Sequence, residues 1–83
     1  MTTDEAFEAI KASLMKTLNK NDVAFNSDSH LIRDGILDSL DSMVFLMELS
    51  GRIGKTISDE DANNPEFYQV SRLVSFMTSS QQT

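Results

Sequence analysis

The sequence predicts an all-α protein: a small bundle of three main helices and one short one, with a long first loop. Three observations predict it. Apolar residues recur at three- and four-residue spacing in separate stretches. Strand-type alternation of apolar and polar residues is absent. Clusters of Asn, Asp, Ser and Gly punctuate the chain between those stretches. At 83 residues there is room for one domain, assigned to 1–78, with 79–83 read as a frayed polar tail. Ordering such a chain costs about 1.5 kcal/mol per residue, which apolar burial must nearly offset. There are no cysteines to staple it, so the core must come from Leu, Ile, Val, Phe and Met on packed helices.

Residues 3–19 form the first predicted helix, because Phe7, Ile10, Leu14 and Leu18 fall on one stripe. Thr2 with Glu5 fits a capping box at its start, and Asn19-Lys20-Asn21-Asp22 supplies turn chemistry at its end. Residues 20–37 form a long connection, of a length that in small domains is often functional. Val23, Phe25, Leu31, Ile32, Ile36 and Leu37 are expected to pin it to the core, and Gly35 lets it turn sharply. Residues 39–53 form the second helix. Phe45, Leu46, Leu49 and Ile53 make one stripe, whereas Leu40, Met43, Val44 and Met47 are left over on another face. That surplus predicts an exposed contact surface, for which the adaptable Met side chain is suited. Gly54 stops the helix, and Ile57 is an isolated apolar anchor. Ser58-Asp59-Glu60-Asp61 reads as a helix start, Pro65 bounds or opens the short helix near 65–68, and Val70, Leu73, Val74 and Met77 carry the last helix over 69–78.

The net charge of −6 disfavours nucleic acid, which calls for clustered Lys and Arg. It favours partners with basic surfaces. The longest unbroken apolar run, Met43 to Met47, is far too short to span a bilayer. The N-terminus lacks a basic region followed by an apolar stretch, so no secretory signal is read there. A monomeric cytoplasmic protein is expected.

The residues that carry chemistry sit at the start of the second helix. Asp38 is a favoured N-cap residue. Ser39 then takes the first helical position, where its hydroxyl has no structural duty. A helix start carries a partial positive charge and free N–H groups, which suit an anion such as a phosphodiester. Nothing beside Ser39 forms a nucleophile elbow or a triad, so no enzyme is expected. His30, the single histidine, reads as a solvated loop residue. Asp59-x-Asp61-x-Asn63 departs from a calcium loop at the required glycine, which is Asn64, and at the twelfth position, which is Val70. A capped helix start is the better reading.

Asp38-Ser39-Leu40, preceded by Asp34-Gly35-Ile36-Leu37, resembles the attachment motif of acyl carrier proteins and peptidyl carrier domains. The resemblance covers nearly the whole chain: first helix, long loop, Asp-Ser-Leu, apolar second helix, Ile57 to Ala62 and a last helix around Val70. It implies a four-helix bundle of the acyl-carrier type. It implies that Ser39 receives 4′-phosphopantetheine from coenzyme A through a phosphopantetheinyl transferase that reads Asp38, Leu40 and Asp41. The arm then holds an acyl or aminoacyl thioester for loading and chain-processing enzymes, in fatty acid, polyketide or related biosynthesis. By the same resemblance Asp41, Met43, Val44, Met47 and Glu48 help dock those enzymes. Phe45, Leu46, Leu49, Ile53, Ile57, Ala62 and Phe67 would line an acyl-chain pocket.

The chain also departs from fatty-acid carriers. Glycine falls at Gly35 rather than at the position of Ile36, which looks closer to D-alanyl carriers and peptidyl carrier domains. Asp41 and Glu48 are the only acids on the second helix. The segment Asn63 to Gln69 is longer than usual. These changes suggest a specialised carrier whose partner reads more apolar surface and less charge. A D-alanyl or other aminoacyl cargo is the alternative reading. A non-enzymatic helical module that binds a partner through the second helix is the other.

Overall fold

The computed structural model describes residues 1–79; of the predicted 79–83 tail, residues 80–83 lie outside them. The elements are α1 (Thr3–Leu18), α2 (Ser39–Ile53), α3 (Asp59–Ala62), a 3₁₀ turn (Pro65–Tyr68) and α4 (Val70–Thr78). The fold is all-α, as predicted.

Each helix end has a local cause. Thr2 caps α1 with its side chain on the Glu5 N–H, and the Glu5 carboxylate accepts the Thr2 N–H at 2.8 Å. That backbone hydrogen bond, more than the nearby N-terminal charge, holds the Glu5 carboxyl below its usual range. Asn19 ends α1 in the left-handed region at φ 54°, which Asn tolerates better than most residues. Gly54 ends α2 at φ 71°, where a side chain would be strained. Ser58 caps α3 and Asn64 caps the 3₁₀ turn, with Pro65 at its first position. The expected single short helix is therefore two short pieces. Asn63 and Asn64 interrupt the run, and Pro65 has no N–H with which to continue a helix.

The core joins all of these elements. Ala6, Ile10 and Leu14 of α1, Phe45 and Leu49 of α2, Leu31 of the long loop, Phe67 of the 3₁₀ turn and Leu73 of α4 are buried. The loop is pinned as expected: Leu31 and Leu37 are buried, Val23, Ile32 and Ile36 pack against the core, and Phe25 stacks on Phe7 at 5.9 Å. Lys55 ties the other end, donating to the carbonyls of Phe76 and Ser79 with its ammonium 4.6 Å from the Phe76 ring.

One core feature costs stability. The Ser13 and Thr17 hydroxyls on α1 are buried without a partner among the described residues. Ser13→Ala removes an unsatisfied donor and adds helix propensity, so a gain of about 1 kcal/mol is expected in urea denaturation.

His30 corrects the sequence reading. It is 5% exposed rather than solvated. Its ring is engaged by backbone groups, including the carbonyl of Pro65, 35 residues away. A long-range closure of that kind leaves no local pattern.

Candidate functional site

The loop reaches α2 through a buried anchor. The Leu37 N–H donates to the Leu31 carbonyl at 2.7 Å, and Gly35 turns the chain at φ 79°. Asp38 is extended and caps α2 as predicted, its carboxylate accepting the Asp41 N–H at 2.7 Å. The Asp38 carbonyl accepts the first helical bond, from Ser42, at 3.0 Å. Below the surface the buried Ser42 hydroxyl donates to the Ser39 carbonyl at 2.8 Å. The backbone of Ser39 is thus held between Asp38 and Ser42.

Its side chain is free. Ser39 is exposed, and its hydroxyl makes no hydrogen bond among the described residues. The N–H groups of Ser39 and Leu40 likewise have no protein partner among them, so two donors of the helix start remain for an oxygen-rich group. The residues present therefore fit a phosphodiester-linked group on Ser39. His30 cannot act as a base for this hydroxyl, because both its ring nitrogens are taken by backbone groups.

The predicted docking residues share one face of α2. Leu40 is 77% exposed and Met47 74%, with Met43 and Val44 between them. Asp41 is half-buried at the cap, and Glu48 faces Arg52 at 3.8 Å. The charge on this face is therefore low.

The predicted pocket residues divide. Phe45, Leu46, Leu49 and Phe67 are buried, whereas Ile53, Ile57 and Ala62 are half-buried. Leu46, Ile57 and Ala62 share an open cleft of about 490 Å³ with Met43, Met47 and Ser50. Phe45 and Leu49 do not line it and are sealed in the core. Phe67 instead lines a separate cleft of about 560 Å³ with Lys55, Arg72 and Phe76; it contains no residue of α2. Sequence periodicity could not separate the sealed Phe45 and Leu49 from the cleft-lining Leu46, because all three share one stripe of α2.

Among the described residues no cluster of His, Cys, Asp or Glu could hold a metal ion. Asp59 and Asp61 occupy the first turn of α3. No helix among those residues is long and apolar enough to cross a membrane.

Comparison with known proteins supplies the family. No protein-family model matches the chain, and no solved structure does. It is 30% identical over 74 residues to D-alanyl carrier protein 2 of Lactiplantibacillus plantarum, covering 89% of this chain and 92% of that protein. It is 31% identical over 74 residues to D-alanyl carrier protein 1 of the same organism, covering 89% and 91%. The all-α fold and relatives aligned over most of its length agree: the chain belongs to the acyl- and peptidyl-type carrier protein family, in its specialised D-alanyl type.

Proposed function

We propose that Ser39 is the attachment point of 4′-phosphopantetheine and that the chain presents an aminoacyl thioester, D-alanyl by preference, to partner enzymes. One observation carries the reading: the Ser39 hydroxyl is exposed and unbonded while the backbone beneath it is fixed by Asp38 and Ser42. In the attachment step, run by a separate transferase, the Ser39 Oγ bonds to the phosphorus of the pantetheine phosphate of coenzyme A. The bond from that phosphorus to the bridging oxygen breaks, adenosine 3′,5′-bisphosphate leaves, and the serine proton passes to a base of the transferase. When bound, the group supplies a thiol on a long flexible arm.

The chain's own residues do the rest. Asp38 fixes the first turn of α2 so that Ser39 and Leu40 point outward together. Leu40, Met43, Val44 and Met47 form the apolar surface on which partners settle, with Asp41 an acid that has no basic partner within 4.0 Å among the described residues. A small cargo suits the interior. Phe45 and Leu49 are fully buried, and an aminoacyl group needs no cavity between them. The names of the two relatives support D-alanine as that cargo.

The test is the mass of the protein isolated from its native cell with its thioester preserved. The expected increment is one phosphopantetheine plus one alanyl group. A fatty-acyl increment would overturn the cargo and retain the carrier. Absence of any arm would overturn both.

A further inference from the structure

Two peptide units frame the proposed attachment point. The Asp38 carbonyl and the Ser39 N–H belong to one, and the Ser39 carbonyl and the Leu40 N–H belong to the next. A peptide unit is planar, with its C=O and N–H pointing opposite ways, so whatever holds the carbonyl aims the N–H. Neither N–H has a protein partner among the described residues. Both carbonyls are held by the same residue, Ser42. Its N–H donates to the Asp38 carbonyl at 3.0 Å, and its hydroxyl donates to the Ser39 carbonyl at 2.8 Å.

The first of these bonds is ordinary, because any residue but proline at position 42 supplies that N–H to the helix. The second depends on the side chain. Ala would serve the helix better than Ser, whose hydroxyl competes for backbone partners. Burial alone does not account for the bond either. Ser13 is just as buried on α1, yet its hydroxyl has no partner among the described residues. Ser42 is 6% exposed, so water competes little for its hydroxyl, and the bond fixes one peptide plane at the mouth of α2.

We propose that Ser42 is a positioning residue for arm attachment: its hydroxyl fixes the Ser39–Leu40 peptide so that the Leu40 N–H is aimed at the phosphate joined to Ser39. The inference rests on the proposed role of Ser39. A hydrogen bond received by a carbonyl also polarises its peptide unit and makes the N–H at the other end a better donor. The next N–H along the turn, that of Asp41, is taken by the Asp38 carboxylate at 2.7 Å. An incoming phosphate therefore meets the Ser39 and Leu40 N–H groups. Held in place beforehand, they face its nonbridging oxygens with no reorganisation as Ser39 Oγ bonds to phosphorus. Ser42 acts only through the peptide unit.

The test compares wild type, Ser42→Ala and Ser42→Thr as substrates of a broad-specificity phosphopantetheinyl transferase with coenzyme A, alongside their urea midpoints. Ser42→Ala should fold, since it removes a hydroxyl and leaves no buried donor behind. Its KM should match wild type, because Leu40, Met43, Val44 and Met47 are untouched. Its kcat should fall about fivefold, the scale of one hydrogen bond. Ser42→Thr keeps the hydroxyl and should keep the wild-type kcat. A second readout is independent of rate. Attachment of the arm should move the Leu40 amide proton downfield in wild type, and by less in Ser42→Ala.

An equal kcat in wild type and Ser42→Ala would overturn the role of Ser42. So would a change in KM alone, which marks docking, or an equal loss of kcat in Ser42→Thr at the wild-type urea midpoint. If Ser42→Ala does not fold, Ser42→Cys decides in the same way, because its thiol is a weaker donor in the same place. A wild-type chain that takes no arm would sink Ser39 and Ser42 together. Modification of Ser39 at a rate indifferent to residue 42 would sink Ser42 alone.

Discussion

Ser39→Ala is expected to abolish carrier function entirely while leaving the fold intact. The lost hydroxyl makes no hydrogen bond among the described residues, and Ala has high helix propensity. The urea midpoint should stay within about 0.5 kcal/mol of wild type, as for surface substitutions away from structural features. Thiol titration after incubation with coenzyme A and a transferase should find no arm. Had Ser39 been only part of a helix start, the variant would be silent in every assay. Had it served the core, the midpoint would fall.

Phe45→Ala is expected to have the opposite profile. Phe45 is fully buried, near the middle of α2. Truncating a buried Phe costs about 3–5 kcal/mol. A domain of this size holds roughly 0.05–0.15 kcal/mol per residue, so the variant should lose a large share of its stability, as urea denaturation would show. A loss under about 1 kcal/mol would mean that Phe45 borders an open interior space, which would revive a sheltered acyl chain.

The two substitutions sit six positions apart on one helix, and that separation of roles was partly legible in the sequence. The bounds of α2 are written locally, in the Asp38 cap and in Gly54. The two apolar stripes are also local, so the exposure of Leu40, Met43, Val44 and Met47 could be read before any coordinates. α1 was legible for the same reason, through Thr2, Glu5 and the Asn19 stop. What could not be read depends on closure over distance. His30 is buried because Pro65 and Gln69 come back to it, and nothing near residue 30 announces that. Among the seven expected pocket residues, Phe45, Leu46, Leu49 and Ile53 share one stripe of α2, and Ile57, Ala62 and Phe67 are isolated apolar residues with no period to read. Only the path of residues 54–64 across α2 decides that Ile57 and Ala62 border a cleft while Phe45 and Leu49 are sealed. Ser13 shows the same limit. Its place in the stripe is visible, but its unpartnered hydroxyl becomes apparent only once the neighbours are packed.

The low charge of the α2 face distinguishes this carrier from the acidic pattern of fatty-acid carriers that its motif also resembles. Glu48 faces Arg52, and Asp41 is partly withdrawn into the cap. Apolar contact is far less sensitive to salt than charge pairing, whose range shrinks with ionic strength. Under the proposed function, partner selection would rest on the fit of Leu40, Met43, Val44 and Met47 more than on long-range attraction.

The central claim is that one hydroxyl, Ser39 Oγ, bears the arm. Tryptic cleavage after Arg33 and Arg52 releases a peptide, Asp34 to Arg52, that holds three serines: Ser39, Ser42 and Ser50. After incubation with coenzyme A and a broad-specificity transferase, this peptide should gain the mass of one phosphopantetheine, and fragmentation should place it on Ser39. An unmodified peptide, or a group found on Ser42 or Ser50, would contradict the account.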